Sequence, residues 1–366
     1  MMERPGMRRV AVVLFNLGGP DAPESVRPFL ENLFTDPAIL RVPGFIRPWL
    51  GRLIAARRTK AACENYAILG GGSPLRELTE AQGLALEALL NAEAGPAAEY
   101  RCFVAMRYWH PFSDAAARAV RDWGAEEVLL LPLYPQFSTT TTGSSMRAWG
   151  EAAAAIGLDL PTTTLCCWHS DAGFTTATAA LVRAAHDRAR AELPASVPLR
   201  LLFSAHGLPE RIVKAGDPYQ WQVERSVAAV VERLGIESPD HVVCYQSRVT
   251  PQKWLGPSTE AELQRAAQDR VAVLVCPIAF VSEHSETLVE LDVEYREAAH
   301  RLGVPGYFRV PAQNSDPGFI AALAGLVQRA RGSGRMLCSY AGGRQCPKQH
   351  TGCPHTRAAL RVKDAA

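Results

Sequence analysis

The chain has 366 residues, a length that suggests about two domains, and its 48% hydrophobic and 21% charged content excludes a disordered chain, a fibrous repeat and a disulfide-stapled mini-protein. Thirty-nine Lys and Arg against 37 Asp and Glu leave +2, so no global field recruits nucleic acid. The longest apolar run, Val271 to Val281, is too short to span a bilayer and contains Pro277. About nine residues precede the first strand-like run, too few for a signal peptide, so a cytoplasmic location is expected.

Short apolar runs alternate with helical patterns. The predicted strands, in chain order, are Val10–Asn16, Arg101–Met106, Glu127–Leu133, Pro198–Ser204, His241–Gln246 and Arg270–Pro277. Their apolarity is continuous rather than alternating, which predicts strands buried on both faces of a parallel sheet. Helical patterns include Arg76–Ala94, Ser113–Trp123, Asp171–Glu192, Pro218–Leu234 and Thr259–Gln268, and Ser73 with Pro74 reads as an N-cap followed by proline at the first helical position. This alternation predicts two α/β domains, residues 7–170 and 171–330, each a doubly wound parallel sheet flanked by helices, with a cleft between them. Residues 331–366 fall outside the pattern as a Cys-containing extension.

Ligand groups gather at the carboxyl ends of strands in such sheets. The first strand ends in Asn16-Leu17-Gly18-Gly19-Pro20, whose glycines permit a tight turn and close approach to a ligand, although no GxGxxG or GK[ST] motif is present. The second ends in Arg107-Tyr108-Trp109-His110-Pro111, an Arg beside two aromatics that suits a flat, partly anionic ligand as well as a plain interdomain ion pair. The fourth ends in Phe203-Ser204-Ala205-His206-Gly207-Leu208-Pro209, placing a histidine where a strand opens into a loop. After Cys276, Ser282 is expected to cap a helix on which Glu286, Glu290 and Glu294 recur every fourth residue, a carboxylate ladder about 12 Å long at 1.5 Å per residue. Such a ladder either lines a solvated face or carries a hard cation or protons.

These segments together resemble the ferrochelatases, which insert Fe²⁺ into a porphyrin. The resemblance rests on NLGGP at Asn16–Pro20, Arg57-Arg58-Thr59, GGGSP at Gly70–Pro74, RYWHP at Arg107–Pro111, Tyr134-Pro135-Gln136 with Thr142–Ser145, FSAHGLP at Phe203–Pro209, Tyr245-Gln246-Ser247, WLGP at Trp254–Pro257, and Ser282–Tyr295, in family order over roughly residues 10–325. It implies two Rossmann-like, chelatase-type domains with the porphyrin in the cleft between them. His206 and Glu286 would be the catalytic pair and would meet the substrate Fe²⁺. Glu290 and Glu294 would continue the acidic face, Leu17, Tyr108 and Trp254 would line the macrocycle, and Arg58, Ser73 and Arg107 would lie near its propionates. Leu17 stands where some relatives carry Met. Protoporphyrin IX is the expected substrate, with coproporphyrin III, a cobalt-inserting relative and a non-catalytic haem-binding module as alternatives.

The apolar, Arg-interspersed segment Gly44–Ile54 corresponds to a lip over the porphyrin entrance in the family, and peripheral membrane contact through it competes with simple packing on its own domain. A monomer or a homodimer is expected, with no nucleic-acid partner. Of nine cysteines, Cys338, Cys346 and Cys353 lie close together near the C-terminus, and three thiols so spaced favour a metal centre. The resemblance implies a [2Fe–2S] cluster with Cys166 or Cys167 as fourth ligand, because Thr139 occupies the position where animal enzymes supply it. Zinc held by the three cysteines with His350 or His355 is the competitor.

Overall fold

Val10–Phe15 are wholly shielded from solvent, and the strand they form, β1 (Arg8–Asn16), is an interior strand of a parallel sheet, paired on both edges. The computed structural model describes residues 7–247 and 252–356. Among these, the first sheet has the order β2-β1-β3-β4-β9, where β2 is Ala98–Met106, β3 Glu127–Pro132, β4 Thr162–Leu165 and β9 Leu337–Cys338. One face carries Ala11, Val13, Phe15, Val128 and Leu130 against Ala116, Ala117 and Val120 of α4 (Ser113–Trp123) and Trp149 of α5 (Thr142–Ala155). Phe15 and Trp149 meet with ring centroids 6.2 Å apart.

A second parallel sheet has the order β6-β5-β7-β8, with β5 Leu199–His206, β6 His241–Gln246, β7 Ala272–Pro277 and β8 Tyr307–Arg309. Leu201, Phe203, Ala205 and Leu274 pack on α6 (Ala172–Glu192) and α8 (Tyr219–Arg233), while Leu202, Val273 and Val275 pack on α9 (Thr259–Asp269) and α10 (Tyr295–Leu302). Both faces are therefore dry, which is why these strands carry no polar alternation.

The chain forms two compact units: residues up to Trp168 with Ile320–Gln345, and His169–Phe319 with the residues from Cys346 onward. Residues 331–356 are thus no separate extension. Helix α11 (Pro317–Gly332) leads back to the first unit, where Leu337 and Cys338 pair with Thr164 and Leu165 as the edge strand. Residues 357–366 of the expected extension lie outside the described residues.

Two local expectations are corrected. Helix α3 runs Leu75–Ala94 with Pro74 itself as the N-cap; Ser73 stands one residue earlier, its Oγ accepting from Leu75 N at 3.3 Å. Ser282 is not the N-cap of the carboxylate-bearing segment. Glu286–Glu294 is a π-helical segment with Ser285 at its N-cap, and the Tyr295 amide closes it on the Glu290 carbonyl, five residues back.

Candidate functional site

In the first unit, parallel pairing aligns Asn16 with Met106, so the NLGGP and RYWHP loops leave the sheet side by side. Arg107 N donates to Asn16 O (2.9 Å) and Tyr108 N to Leu17 O (2.9 Å). Gly18 has φ +84°, and a Cβ on Gly19 would lie 2.6 Å from the Ser73 side chain. The glycines expected to admit a ligand instead let the NLGGP and GGGSP loops touch, which fixes Ser73 against Pro20 through a 2.7 Å backbone bond.

Asp36, a residue the sequence reading passed over, organises this group. Its fully buried carboxylate accepts from Arg107 Nη2 (2.7 Å), Arg147 Nη2 (2.9 Å), Tyr108 OH (2.9 Å), the Ser144 hydroxyl and Ala38 N (2.8 Å). Burial pushes its pKa up, but these donors outweigh it and hold the carboxyl below its ordinary value. Glu151, exposed, also lies 3.9 Å from Arg147 Nε, so the two guanidinium groups face one buried and one exposed carboxylate. Tyr108 is fully buried, with Arg107 over its ring at 4.9 Å, so it supports Arg107 and presents no free face. Arg58 is half-buried over the Phe34 ring at 5.8 Å, and burial lowers its pKa. No carboxylate among the described residues pairs with it. Leu17 is half-buried.

In the second unit, β5 ends at His206, which pairs in register with Gln246 of β6, and β7 leads onward to Glu286. His206 Nδ1 lies 2.7 Å from Glu286 Oε2. Desolvation opposes the charge on the imidazole, yet the Glu286 carboxylate wins and raises its pKa. Burial likewise opposes the Glu286 charge, and the His206 cation overrides it, drawing that carboxyl down to about 2. Glu290 goes the other way, raised first by burial and then by the negative charge of Glu286. Ser247, at a left-handed φ of 63°, sends its hydroxyl to Glu290 Oε2 (2.5 Å) and Glu286 Oε2 (3.3 Å), while its amide donates to Glu290 Oε1 (2.9 Å). Gln246 Nε2 donates to Glu290 Oε2 and to the Glu286 carbonyl, both at 3.0 Å.

The expected straight ladder of three carboxylates is therefore corrected. The segment is π-helical, with its closing hydrogen bond five residues long. Glu286 and Glu290 converge on Ser247, whereas Glu294 is exposed at the far end. Trp254 packs beside the end of β5, its ring 3.3 Å from where a Cβ on Gly207 would stand. His284 is buried, with Nδ1 3.1 Å from Ser282 O, and burial lowers its pKa.

The cysteine residues divide between the units. Cys338 belongs to the first, where its carbonyl accepts from Cys166 N (2.8 Å) and its buried thiol is pushed up to about 11. Cys166 and Cys167 sulfurs are 3.5 Å apart. Cys346 and Cys353 belong to the second, where Gln222 Nε2 donates to Cys346 Sγ at 3.1 Å. Among the described residues, no three His, Cys, Asp or Glu side chains converge as a metal-holding group, so the arrangement as it stands does not fit the expected cluster or a zinc ion, and no chemistry is routed through either. Nor is any helix among the described residues long and apolar enough to cross a membrane.

A solved structure, DR2241 from Deinococcus radiodurans, described as a multi-domain protein with structural similarity to chelatases, superposes with a TM-score of 0.50 at 16% identity over 98% of this chain and 60% of its own, a likeness of fold alone. The ferrochelatase of Hyphomonas neptunium is 49% identical over 365 residues, 98% of this chain and 99% of its own. That of Caulobacter vibrioides is 51% identical over 347 residues, 95% and 97% of the two chains. The family model described as ferrochelatase matches residues 9–331, a stretch that includes the His206–Glu286 pair, the Asp36 cluster and both sheets up to β8. With a likeness that runs through every strand end carrying chemistry, this chain belongs to the ferrochelatase family, the iron-inserting lyases of haem biosynthesis.

Proposed function

We propose that this chain inserts Fe²⁺ into protoporphyrin IX, forming four Fe–N bonds, two of them at pyrrole nitrogens whose N–H bonds break, and releasing two protons. The observation that carries the reading is the 2.7 Å pair of His206 and Glu286 at the end of β5. Without metal the pair holds a proton: Glu286 is an anion and His206 is biased towards its cation. An Fe²⁺ drawn to Glu286 cancels the charge that holds that proton, the proton leaves to solvent water, and the freed imidazole becomes a base for the pyrrole N–H. Carboxylate and imidazole are exchangeable ligands, so the iron is not trapped. Arg58, with no carboxylate to answer it among the described residues, and the guanidinium of Arg107 are suited to propionates, with Ser73 in the same unit. Leu17 and Trp254 supply apolar contact with the macrocycle, Tyr108 supports Arg107 from below, and Glu290 and Glu294 extend the acidic segment.

The test is anaerobic insertion of Fe²⁺ into protoporphyrin IX, with coproporphyrin III in parallel, for wild type, His206→Ala and Glu286→Gln. Rapid insertion that falls by at least about a hundredfold in both variants is expected, the scale of a lost general base. A faster reaction with coproporphyrin would reassign the substrate. Wild type that binds either porphyrin and turns over neither would leave a binding module.

Peripheral membrane contact is supported by Phe45 (85% exposed) and Trp49 (67% exposed) at the start of α2 (Arg47–Ile68), with Arg52 and Arg57 exposed on the same helix. Cosedimentation with anionic vesicles should be lost in Phe45→Ser/Trp49→Ser. The only support for a [2Fe–2S] cluster is the supply of buried thiols at Cys338, Cys346, Cys353, Cys166 and Cys167. Iron and acid-labile sulfide analysis with a visible spectrum decides it; a colourless protein without sulfide removes it.

A further inference from the structure

Hydrogen bonds in the second unit run farther than the His206–Glu286 pair itself requires. From His206 Nδ1 the chain passes to Glu286 Oε2 (2.7 Å), through the Ser247 hydroxyl (3.3 Å to Glu286, 2.5 Å to Glu290) and from Glu290 Oε1 to Tyr295 OH (2.9 Å). Tyr295 OH then reaches Oε1 of Glu260 at 3.3 Å. Every joint is a carboxyl or a hydroxyl, groups able both to take and to give a proton. Tyr295 is 5% exposed, in one cluster with Leu263, Leu291 and Ala299, so its hydroxyl is held in place by its packed ring. Glu260 stands exposed in the first turn of α9. The Tyr295 side chain thus gives Glu290 an outward partner, and Glu294, farther along the segment, is exposed.

We propose that Tyr295 and Glu260 are the exit of a proton relay that carries pyrrole protons from the His206–Glu286 pair to solvent, leaving the acidic segment sideways at Glu290 rather than along it to Glu294. This rests on the insertion reaction proposed above. A proton taken up by the imidazole passes to Glu286 once that carboxylate has released its iron. Ser247 accepts it as its own hydroxyl proton goes to Glu290, and Tyr295 accepts from Glu290 as its own proton goes to Glu260, which releases it to water. Each O–H bond that breaks is replaced by one that forms, no electrons move, and rotation of the two hydroxyls resets the chain. Each porphyrin metallated sends two protons this way. Tyr295 and Glu260 touch no substrate; they act through Glu290.

The test uses the full chain. Tyr295→Phe keeps the buried ring and deletes only the joint. Insertion of Fe²⁺ into protoporphyrin IX should slow about tenfold or more, with the KM for porphyrin unchanged, a larger solvent deuterium isotope effect, and partial recovery when a small buffer acid–base such as imidazole is added. Glu260→Gln should slow the reaction in the same direction, and Tyr295→Phe/Glu260→Gln should be no slower than Tyr295→Phe, because two joints of one route do not add. Urea midpoints of the variants separate loss of the relay from loss of the fold. An active wild type whose Tyr295→Phe variant keeps the full rate and isotope effect, or loses rate without buffer rescue, overturns the relay alone. A wild type that inserts no iron into any porphyrin overturns the parent reading, and the relay falls with it.

Discussion

Asp36 carries the largest electrostatic load of any single carboxylate in the first unit, because three side chains and one amide turn inward to a group that water cannot reach, with Arg147 adding a further contact. Removing its charge leaves Arg107 and Arg147 facing each other with no anion between them. Asp36→Asn should therefore cost about 3 kcal/mol in urea unfolding at neutral pH, the usual scale for one partner lost from a buried pair. The sign with pH follows from the depressed pKa. Stability from Asp36 is complete above the ordinary carboxyl value of 3.8 and is lost as pH falls through the lower folded value. The gap between wild type and Asp36→Asn should accordingly narrow below about pH 4; a gap that stays constant down to pH 2 would assign the cost to packing instead. RYWHP drew the eye to Arg107 and Tyr108, yet a single Asp in LFTDP reads as an ordinary turn residue before proline. Nothing local in the sequence marks it, since four of the side chains that meet it come from Arg107, Tyr108, Ser144 and Arg147, far along the chain.

The π-helical segment carries the carboxylates of the proposed insertion chemistry, and the short strand β8 holds it. Arg309 grips Asp292 with two bonds (Nε to Oδ1 2.8 Å, Nη2 to Oδ2 2.6 Å) and Glu283 with a third (Nη1 to Oε1 2.8 Å), while Tyr307 OH donates to the Leu291 carbonyl at 2.6 Å. Burial opposes the guanidinium charge, and the two carboxylates raise its pKa regardless. One strand thus pins Glu283, three residues ahead of the segment, and the segment's last turn, which sets where Glu286 and Glu290 point. Arg309→Met should cost about 3 kcal/mol by stranding two carboxylates. Amide exchange over 286–294 should quicken, and kcat for insertion should fall more than KM for porphyrin rises, with Arg309→Lys restoring part of both. Unchanged exchange in that segment would mean that β8 merely flanks it. The main strands were legible because burial on both faces writes continuous Val and Leu runs. The three residues of β8 were not, being half-buried and too short to show any period. The Glu spacing was legible as a pattern but misleading as geometry, because a four-residue period was read on a 3.6-residue helix and the backbone takes a wider coil.

At the scale of the whole chain, the sequence pattern placed residues 331–366 outside the fold, whereas the described part of that stretch is stitched into both units. The reason lies in length: a two-residue strand has no periodicity, and its partner, Thr164–Leu165, is far away in sequence and largely threonine. Met336 O accepts from Thr164 N (2.8 Å) and Cys338 O from Cys166 N (2.8 Å), while Leu337 packs on the cluster of Phe137, Cys166 and Cys167. Farther on, Gly352 N donates to Gly216 O at 3.0 Å, and a Cβ on Gly216, at φ +97°, would meet the Thr351 hydroxyl at 2.3 Å. A chain ending at Gly334 loses the edge strand of one unit and the cover of Gly216 in the other. Its melting temperature should fall by several degrees, at about 2–4 °C per kcal/mol for units of this size. Cys166 and Cys167, now 0% and 3% exposed, should become reactive to a thiol reagent in the native state, adding two fast-reacting thiols to a wild-type count that lacks them. Unchanged melting together with unreactive Cys166 and Cys167 would show that β9 adds nothing to the sheet. Reactive thiols at an unchanged melting temperature would confine its role to shielding them.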